Sequence, residues 1–164
     1  MFRPFRLAAL ALASALLLAA CGSSGSSSTT SATTAKTNAT SSPRPVSVVG
    51  TTKSSLGTFL VGANGRALYL WDADHGSKST CSGACAQAWP PLTTTGTPKA
   101  SGAAKASLLG TTTRADGSHE ITYAGHPLYY YAGDSGSGQT TGQGSDSFGS
   151  PWWVVSPAGK AIGG

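Results

Sequence analysis

Residues 65–80 read GRALYLWDADHGSKST, and residues 125–140 read GHPLYYYAGDSGSGQT. An offset of 60 positions aligns the two stretches. The aligned identities include Gly65 with Gly125, Leu68 with Leu128, Tyr69 with Tyr129, Asp74 with Asp134, Gly76 with Gly136 and Thr80 with Thr140. Farther upstream, Leu56-Gly57-Thr58 is similar to Leu109-Gly110-Thr111. A chain that carries one unit twice is expected to pack the two copies about a pseudo-twofold axis.

The composition favours β structure over helix. Of the 164 residues, 75 are Gly, Pro, Ser or Thr, whereas 39% are hydrophobic and only 10% are charged. Few Lys, Glu and Arg are available to cover helix surfaces, which argues against a helical bundle or a coiled coil. The sequence therefore predicts an all-β fold, a small antiparallel meander or sandwich built from two pseudo-symmetric repeats.

Turn signals place the strands of each repeat. Asn64-Gly65 is a strong hairpin signal in the first repeat, and Asp116-Gly117 is its counterpart in the second. The predicted strands cover residues 58–61, 67–71, 109–114, 119–123, 127–131 and 152–156. One or two helical turns are expected between residues 99 and 109, where alanines cluster.

Residues 1–20 have the parts of a lipoprotein signal peptide. Arg3 and Arg6 form a basic start, and residues 7–20 form an apolar stretch that is shorter than the roughly 20 residues needed to span a bilayer. Leu18-Ala19-Ala20-Cys21 then matches the lipobox of bacterial lipoproteins. The match implies that Cys21 is acylated and becomes the mature N-terminus. The protein is therefore expected to be extracytoplasmic and anchored to the bacterial membrane by a lipid on Cys21.

Residues 21–45 are predicted to be a disordered tether. From residue 22 to residue 45, 14 of 24 residues are Ser or Thr and none is aromatic. Such a segment buries too little apolar surface to offset its ordering entropy. Residues 46–164 then form one domain, with repeat 1 at about residues 56–92 and repeat 2 at about residues 109–159.

The charge of the folded part does not suit nucleic-acid binding. The whole chain has a formal net charge of +5, but part of it belongs to the signal peptide and the tether. Residues 46–164 contain seven Lys or Arg and six Asp or Glu, a net charge of +1. There is no basic run and no interleaving of basic with aromatic residues, so nucleic acid is not expected as a partner.

Two motifs and a cysteine pair carry a family resemblance. Residues 69–74, YLWDAD, and residues 129–134, YYYAGD, share the pattern Tyr, any residue, aromatic, any two residues, Asp. The accompanying residues, in chain order, are Cys81, Cys85, Trp89, Pro90, Pro91, Trp152 and Trp153. In this order the features resemble the bacterial secreted-repeat lipoproteins, a family of unknown function. The resemblance implies a fold and an extracytoplasmic location, and it gives no substrate.

The aromatic residues of the motif have two possible roles. Because alternate residues of a strand share a face, Tyr69 lies beside Trp71, and Tyr129 lies beside Tyr131. They are expected to belong to the core or, alternatively, to form an aromatic shelf that stacks on a sugar of a glycan partner. Asp74 and Asp134, which end the two motifs, are expected to cap turns by hydrogen bonds to their own backbone.

Cys81 and Cys85 are expected to form a disulfide, because the protein is exported and Cys21 is acylated. An extended chain would separate their Cα atoms by about 13 Å, beyond the range that a disulfide allows, so this segment must be a helical turn or a tight loop. A structural disulfide is one role for the pair. The alternative is a redox-active pair, or a copper site completed by His75.

The remaining ionisable residues form no catalytic constellation. His119 and Glu120 are adjacent on a predicted strand and face opposite ways, so they do not act as a pair. The sequence therefore predicts a non-enzymatic, membrane-anchored protein without a cofactor, which binds an envelope protein or a glycan or has a structural role. The alternatives are redox or copper handling at Cys81 and Cys85, and carbohydrate binding on the aromatic shelf.

Overall fold

The computed structural model describes residues 47–164. This part of the chain consists mainly of short strands: β1 (Val48–Ser54), β2 (Gly57–Gly62), β3 (Tyr69–Trp71), β4 (Thr93–Thr94), β5 (Lys99–Ala100), β6 (Leu109–Thr113), β7 (His119–Tyr123), β8 (His126–Pro127) and β9 (Trp152–Val154). It also holds the helix α1 (Ala84–Ala88) and two 3₁₀ turns (Ala106–Leu108 and Ser147–Gly149).

The predicted signal peptide, Cys21 and the tether lie outside the described residues. Among residues 47–164, no helix has the length and apolar character required to cross a membrane.

The two repeats begin with equivalent hairpins. β1 pairs antiparallel with β2, and β6 pairs antiparallel with β7. The chain then folds back onto the second strand of each hairpin, through a bridge between Val61 and Ala67 in the first repeat and through β8 in the second. The predicted hairpin about Asn64-Gly65 and the one about Asp116-Gly117 are both present.

The sequence predicts no strand over β1, because its residues VVGTTKS adjoin the polar tether and show little alternation of apolar and polar side chains. In the structure, residues 49–54 all pair with β2. This changes the alignment of the repeats upstream of the motif. Leu109-Gly110-Thr111 of β6 corresponds to Val49-Gly50-Thr51 of β1, and not to Leu56-Gly57-Thr58.

The last strand of each repeat lies against the other repeat. β9, which ends the second repeat, pairs with β3 of the first, where Tyr69 lies opposite Val154. The end of the first repeat makes the equivalent contacts with the second: the Leu92 N–H donates to the Leu128 carbonyl at 2.8 Å, and β4 pairs with β7. Neither repeat therefore completes its sheets alone.

Three small sheets result. Their strand orders are β2-β1-β5, β3-β9 and β4-β7-β6, with β8 attached to β7. β5 runs parallel to β1, and the other strand pairs are antiparallel. The predicted all-β class, built from two repeats, is confirmed.

The central strands are buried on both faces. Tyr69 and Trp71 of β3 join a cluster that is rich in aromatic residues and contains both cysteines. Leu70, which points the opposite way, joins a cluster of mainly aliphatic residues that also includes Leu68 and Leu128. The alternation along β3 thus provides the central layer between two cores.

Several predicted elements are shorter in the structure, and the strands expected over residues 67–71 and 152–156 reduce to β3 and β9. The strand expected over residues 127–131 ends at Pro127, and Tyr129 then forms single bridges with Tyr69 and with Pro91. Pro91 lacks an N–H, so it offers one donor fewer for continuing a ladder at this point. The helical turns expected between residues 99 and 109 reduce to one 3₁₀ turn, because Gly102 has a φ of 61° and the alanines that follow it are too few to form a helix.

Candidate functional site

The pseudo-twofold axis passes between two tyrosines, Tyr69 and Tyr129. The backbone N–H of each donates to the carbonyl of the other, at 2.8 and 2.9 Å. Both side chains are fully buried. The first residue of one motif therefore lies directly opposite the first residue of the other.

Each tyrosine hydroxyl donates a hydrogen bond to the aspartate that ends the other motif. The Tyr69 hydroxyl lies 2.7 Å from Asp134 Oδ2, and the Tyr129 hydroxyl donates to Asp74 Oδ2. We call these four residues the tyrosine–aspartate lock. Asp74 is 6% exposed and Asp134 is 1% exposed, so the lock forms away from water. A hydrogen bond to a charged acceptor there contributes roughly 1.5–3 kcal/mol.

The other oxygen of each lock carboxylate binds a threonine. Asp74 Oδ1 accepts from the N–H and the hydroxyl of Thr80, at 2.8 and 2.7 Å. Asp134 Oδ1 accepts the same pair from Thr141, at 2.8 and 2.6 Å. The two aspartates were expected to cap turns through their own backbone. Instead, each accepts hydrogen bonds from a threonine six or seven residues later in the chain and from a tyrosine of the other repeat. The second loop is one residue longer, so Thr141 and not Thr140 corresponds to Thr80.

Burial keeps the lock hydroxyls protonated. Loss of solvation raises the pKa of Tyr69, and the hydrogen bond to Asp134 raises it further. Burial also raises the pKa of Tyr129, with the negative charge of Glu120 and the hydrogen bond to Asp74 adding to the effect. Both tyrosines therefore remain hydrogen-bond donors at physiological pH.

A buried ion pair, which the sequence patterns do not predict, joins the second repeat to the cysteine loop. Glu120 of β7 is fully buried, and its Oε2 accepts a 2.6 Å hydrogen bond from Arg114 Nη1. The same guanidinium donates to the Ser79 hydroxyl and to the Cys81 carbonyl. We call Arg114 and Glu120 the arginine clamp. The Ser79 hydroxyl also lies 2.7 Å from the Tyr129 hydroxyl, so the clamp is continuous with the lock.

Glu120 occupies the position that Phe59 occupies in the first repeat. Each lies in the second strand of its hairpin, each is fully buried, and each pairs with a threonine, Thr112 or Thr52. Glu120 Oε1 has no hydrogen-bond partner among the described residues. Burial raises the pKa of the Glu120 carboxyl to about 7, although the neighbouring guanidinium lowers it. In the sequence, the one signal of the ion pair between Arg114 and Glu120 is the acidic residue inside an otherwise largely apolar strand.

Cys81 and Cys85 form a disulfide whose Cα atoms are 5.3 Å apart. Cys85 lies in α1, in agreement with the helical turn expected between the cysteines. The two cysteines are 1% and 6% exposed and belong to the aromatic cluster. His75 is exposed on the surface. In the described part of the chain, no three His, Cys, Asp or Glu side chains are grouped so that they could hold a metal ion.

Four aromatic rings stack through the aromatic cluster. Trp71 lies on Trp152 with ring centroids 5.0 Å apart, Trp152 lies on Trp89 at 3.9 Å, and Trp89 meets Tyr131 at 4.4 Å. Gly142 leaves room for the stack, because a Cβ there would lie 2.6 Å from the Trp89 ring. The rings pack against one another, so they form core. The shelf expected as an alternative is not formed by these rings.

The other motif residues support this arrangement. Pro91 forms the bridge to Tyr129. The Pro90 carbonyl accepts a hydrogen bond from the Tyr130 N–H at 2.8 Å. Trp153 is half-buried, and its Nε1–H donates a hydrogen bond to Asp72, which is exposed.

A cleft of about 480 Å³ lies between the loop after β4 and strand β6. Its lining is Thr94, Thr95, Gly96, Thr97, Pro98, Ala106, Leu109, Gly110, Thr111 and His119. His119 is exposed, whereas its neighbour Glu120 is buried, so the two face opposite ways as predicted. The lining carries threonine hydroxyls, apolar groups and the imidazole of His119, and it has no Lys, Arg, Asp or Glu.

The paired hairpins, the doubled motif and the lock fit a known type of repeat. A family described as a secreted repeat of unknown function matches residues 50–93 and residues 110–156. The chain belongs to this family. The first match begins inside β1, which agrees with the corrected alignment of the hairpins. The comparisons with curated proteins and with solved structures gave no match.

The geometry explains why this secreted repeat carries its motif twice. Within the six-residue motif, the tyrosine and the aspartate are the positions that are identical in both copies, and they bind each other across the axis. The motif therefore encodes the contact between the repeats.

Removing one lock hydroxyl is expected to destabilise the fold. Tyr69→Phe leaves Asp134 Oδ2 without its buried donor, so the free energy of unfolding should fall by about 1–3 kcal/mol, and Tyr129→Phe should have a similar effect. Urea unfolding followed by tryptophan fluorescence measures the change. Tyr130→Phe is the matched control, because this half-buried tyrosine lies outside the lock. An effect of Tyr69→Phe no larger than that of Tyr130→Phe would contradict the role of the lock.

Glu120 is expected to make stability depend on pH. Its pKa rises from 4.5 in the unfolded reference to about 7 in the folded protein, so between these values the folded protein binds more protons than the unfolded chain. The free energy of unfolding should then fall by roughly 1–3 kcal/mol as the pH rises from 4.5 to 7.5. Glu120→Gln should remove this slope in urea titrations at each pH. His119→Gln, at the exposed neighbour, should keep it, and an unchanged slope in Glu120→Gln would refute the assignment.

Proposed function

We propose that this secreted repeat is anchored by a lipid on Cys21 to the extracytoplasmic face of a bacterial membrane, where it acts as a non-enzymatic binding or structural module. The family is described as secreted, which supports the extracytoplasmic location. The observation that carries the proposal is that the tyrosine and the aspartate shared by the two copies of the motif are buried and are hydrogen-bonded to each other in the lock.

The hydrogen bonds of these groups support a non-enzymatic role. Each lock carboxylate accepts three hydrogen bonds from a tyrosine and a threonine. A general base needs a free oxygen within reach of a substrate, and a nucleophile needs an adjacent base. Asp74 and Asp134 offer no such oxygen to solvent, so recognition falls to the outer surface of the domain.

The lipid anchor rests on the lipobox, Leu18-Ala19-Ala20-Cys21, and on the tether that follows it. A flexible coil of this length has a root-mean-square reach of about 25–30 Å. The tether would hold the domain just clear of the lipid headgroups, where it can meet an envelope protein or a glycan.

Cys21→Ala is expected to abolish lipidation. Cells fed an alkyne-labelled fatty acid should label the wild-type protein and not the variant, as read by gel fluorescence and by the mass of the N-terminal peptide. The double variant Cys81→Ser with Cys85→Ser is the matched control and should keep the label. Label that persists in Cys21→Ala would refute the anchor.

Redox or copper handling is the alternative that uses Cys81, Cys85 and His75. The burial of the disulfide in the aromatic cluster and the exposure of His75 support a structural role for the cysteines instead. Reactive disulfides are accessible and easily reduced, whereas structural ones resist reduction.

The disulfide is therefore expected to act as a staple. Closing a five-residue ring contributes about 2 kcal/mol in the chain-entropy model, so Cys81→Ser with Cys85→Ser should lower the free energy of unfolding by that order. The native protein is equilibrated in glutathione buffers at a cytosolic poise and then freed of glutathione. Thiol titration should detect no free thiol of Cys81 or Cys85. A pair that opens in those buffers without unfolding would favour the redox alternative.

A further inference from the structure

Asn64 and Gly65 form the tight turn by which the chain after β2 folds back onto that strand. The Gly62 N–H donates to the Arg66 carbonyl at 3.0 Å, and the Gly65 N–H donates to the Gly62 carbonyl at 2.9 Å. Gly65 has a φ of 76°, which favours glycine at this position. Asn64 is exposed to solvent, so water reaches its side-chain amide.

This turn also holds a loop of the second repeat. The Gly65 carbonyl accepts hydrogen bonds from the Gly138 N–H at 3.0 Å and from the Ser137 hydroxyl at 3.2 Å. The packing is close, because a Cβ on Gly65 would lie 2.4 Å from Ser137 Oγ. Both partners belong to the loop of residues 135–140, whose ends are joined by the threonine bonds of the second lock aspartate. Gly65 therefore fixes the middle of a loop that the lock fixes at its ends.

The equivalent loop of the first repeat is held in a different way. The Arg114 guanidinium of the arginine clamp donates to the hydroxyl of Ser79 in that loop. The turn of the second repeat that corresponds to Asn64-Gly65 is Ala124-Gly125, and alanine has no side-chain amide. The dipeptide Asn-Gly thus stands in the turn that holds a loop by its carbonyl, and not in the counterpart of that turn.

An exposed asparagine that precedes glycine can react with its own backbone. The Gly65 nitrogen attacks Asn64 Cγ, a succinimide ring closes, and the side-chain amide leaves as ammonia together with the Gly65 N–H proton. Water then opens the ring at either carbonyl, which gives aspartate or isoaspartate. Glycine has no side chain to shield its nitrogen. The Arg66 N–H donates to Asn64 Oδ1 at 3.1 Å, the oxygen on which negative charge develops during the attack.

We propose that Asn64 is a spontaneous modification site, and that its conversion to isoaspartate releases the loop of residues 135–140 from the Gly65 carbonyl. Isoaspartate routes the backbone through the side-chain carbon, so it adds one methylene between the Asn64 Cα and Gly65. A turn closed by two short hydrogen bonds cannot accept an extra backbone atom without moving that carbonyl. This inference goes beyond the binding role and depends neither on it nor on the lipid anchor.

The reaction is tested on the mature chain from residue 21 onward, with Cys21→Ser, secreted through a signal peptide that is not lipidated. Aged in warm, slightly alkaline buffer, its tryptic peptide 54–66 should show a growing fraction with acid in place of amide by mass spectrometry, mainly as isoaspartate. The other asparagine, Asn38, precedes Ala39, whose methyl group hinders the attack, so it should stay amidated over the same period. Asn64→Gln should abolish the reaction in peptide 54–66. Conversion of Asn64 no faster than that of Asn38 would overturn the proposal.

The effect on the loop is measured on the aged protein. Ion exchange separates the isoaspartate form, because deamidation adds one negative charge. In ¹⁵N-labelled protein, hydrogen exchange of the Gly138 amide should be roughly two- to tenfold faster in this form, the factor that one lost hydrogen bond gives. Freshly purified Asn64→Asp is the matched control, since it has the same charge and an ordinary backbone, and its Gly138 amide should exchange as in unmodified protein.

Two results would contradict the release of the loop. One is equal exchange of the Gly138 amide in the isoaspartate form and in unmodified protein. The other is an acceleration in Asn64→Asp as large as that in the isoaspartate form, which would assign the effect to charge and not to the backbone.

Discussion

Two hydrogen bonds between buried tyrosine hydroxyls and buried carboxylates determine how the repeats are joined. A carboxylate excluded from water is strongly destabilising unless its oxygens are satisfied. Among residues 47–164, the one tyrosine hydroxyl bonded to each lock aspartate belongs to the other repeat. Separating the repeats would remove these two hydrogen bonds, so the lock favours the paired arrangement of the repeats.

The exchanged strands reinforce this requirement. β9 completes the first repeat and β4 completes the second, so each repeat holds an element of the other's sheet. A single repeat would expose both the edge of its central strands and the face of its tryptophans. The doubled motif, the exchanged strands and the shared aromatic cluster therefore have one physical cause, which is that one unit of this size cannot bury its own core.

Much of this arrangement could be predicted from the sequence, because it depends on local signals. The offset of 60 residues revealed the pseudo-symmetry, the hairpin turns were visible as Asn64-Gly65 and Asp116-Gly117, and the chain distance between Cys81 and Cys85 required a turn. Long-range partners could not be predicted in this way. Nothing in the spacing of Asp74 indicates that its partner is Tyr129, and a lone acidic residue such as Glu120 reveals its burial only once the register of β7 is known.

The departures from symmetry show where the two copies have different tasks. Glu120 stands where the first repeat has Phe59, and it binds the guanidinium that holds the loop leading to the disulfide. A phenylalanine ring at that site would fill space but could not accept a hydrogen bond from the guanidinium that donates to the Cys81 carbonyl. The second repeat thus gives up apolar packing at one position and fixes the cysteine loop of the first.

The surface outside the motif is what a binding partner of this domain would meet. Residues that are buried to hold a fold together cannot distinguish one ligand from another, so the segments that the lock leaves exposed would have to do so. Here the connection between the repeats is such a segment. Its first part covers the edge of β1 as β5 and forms a wall of the cleft, while the edge of β6 stays open. Pseudo-symmetry breaks at this connection, because β5 adds to the edge of β1, whereas the equivalent end of β6 is preceded by the 3₁₀ turn Ala106–Leu108, whose first carbonyl accepts from the Leu109 N–H.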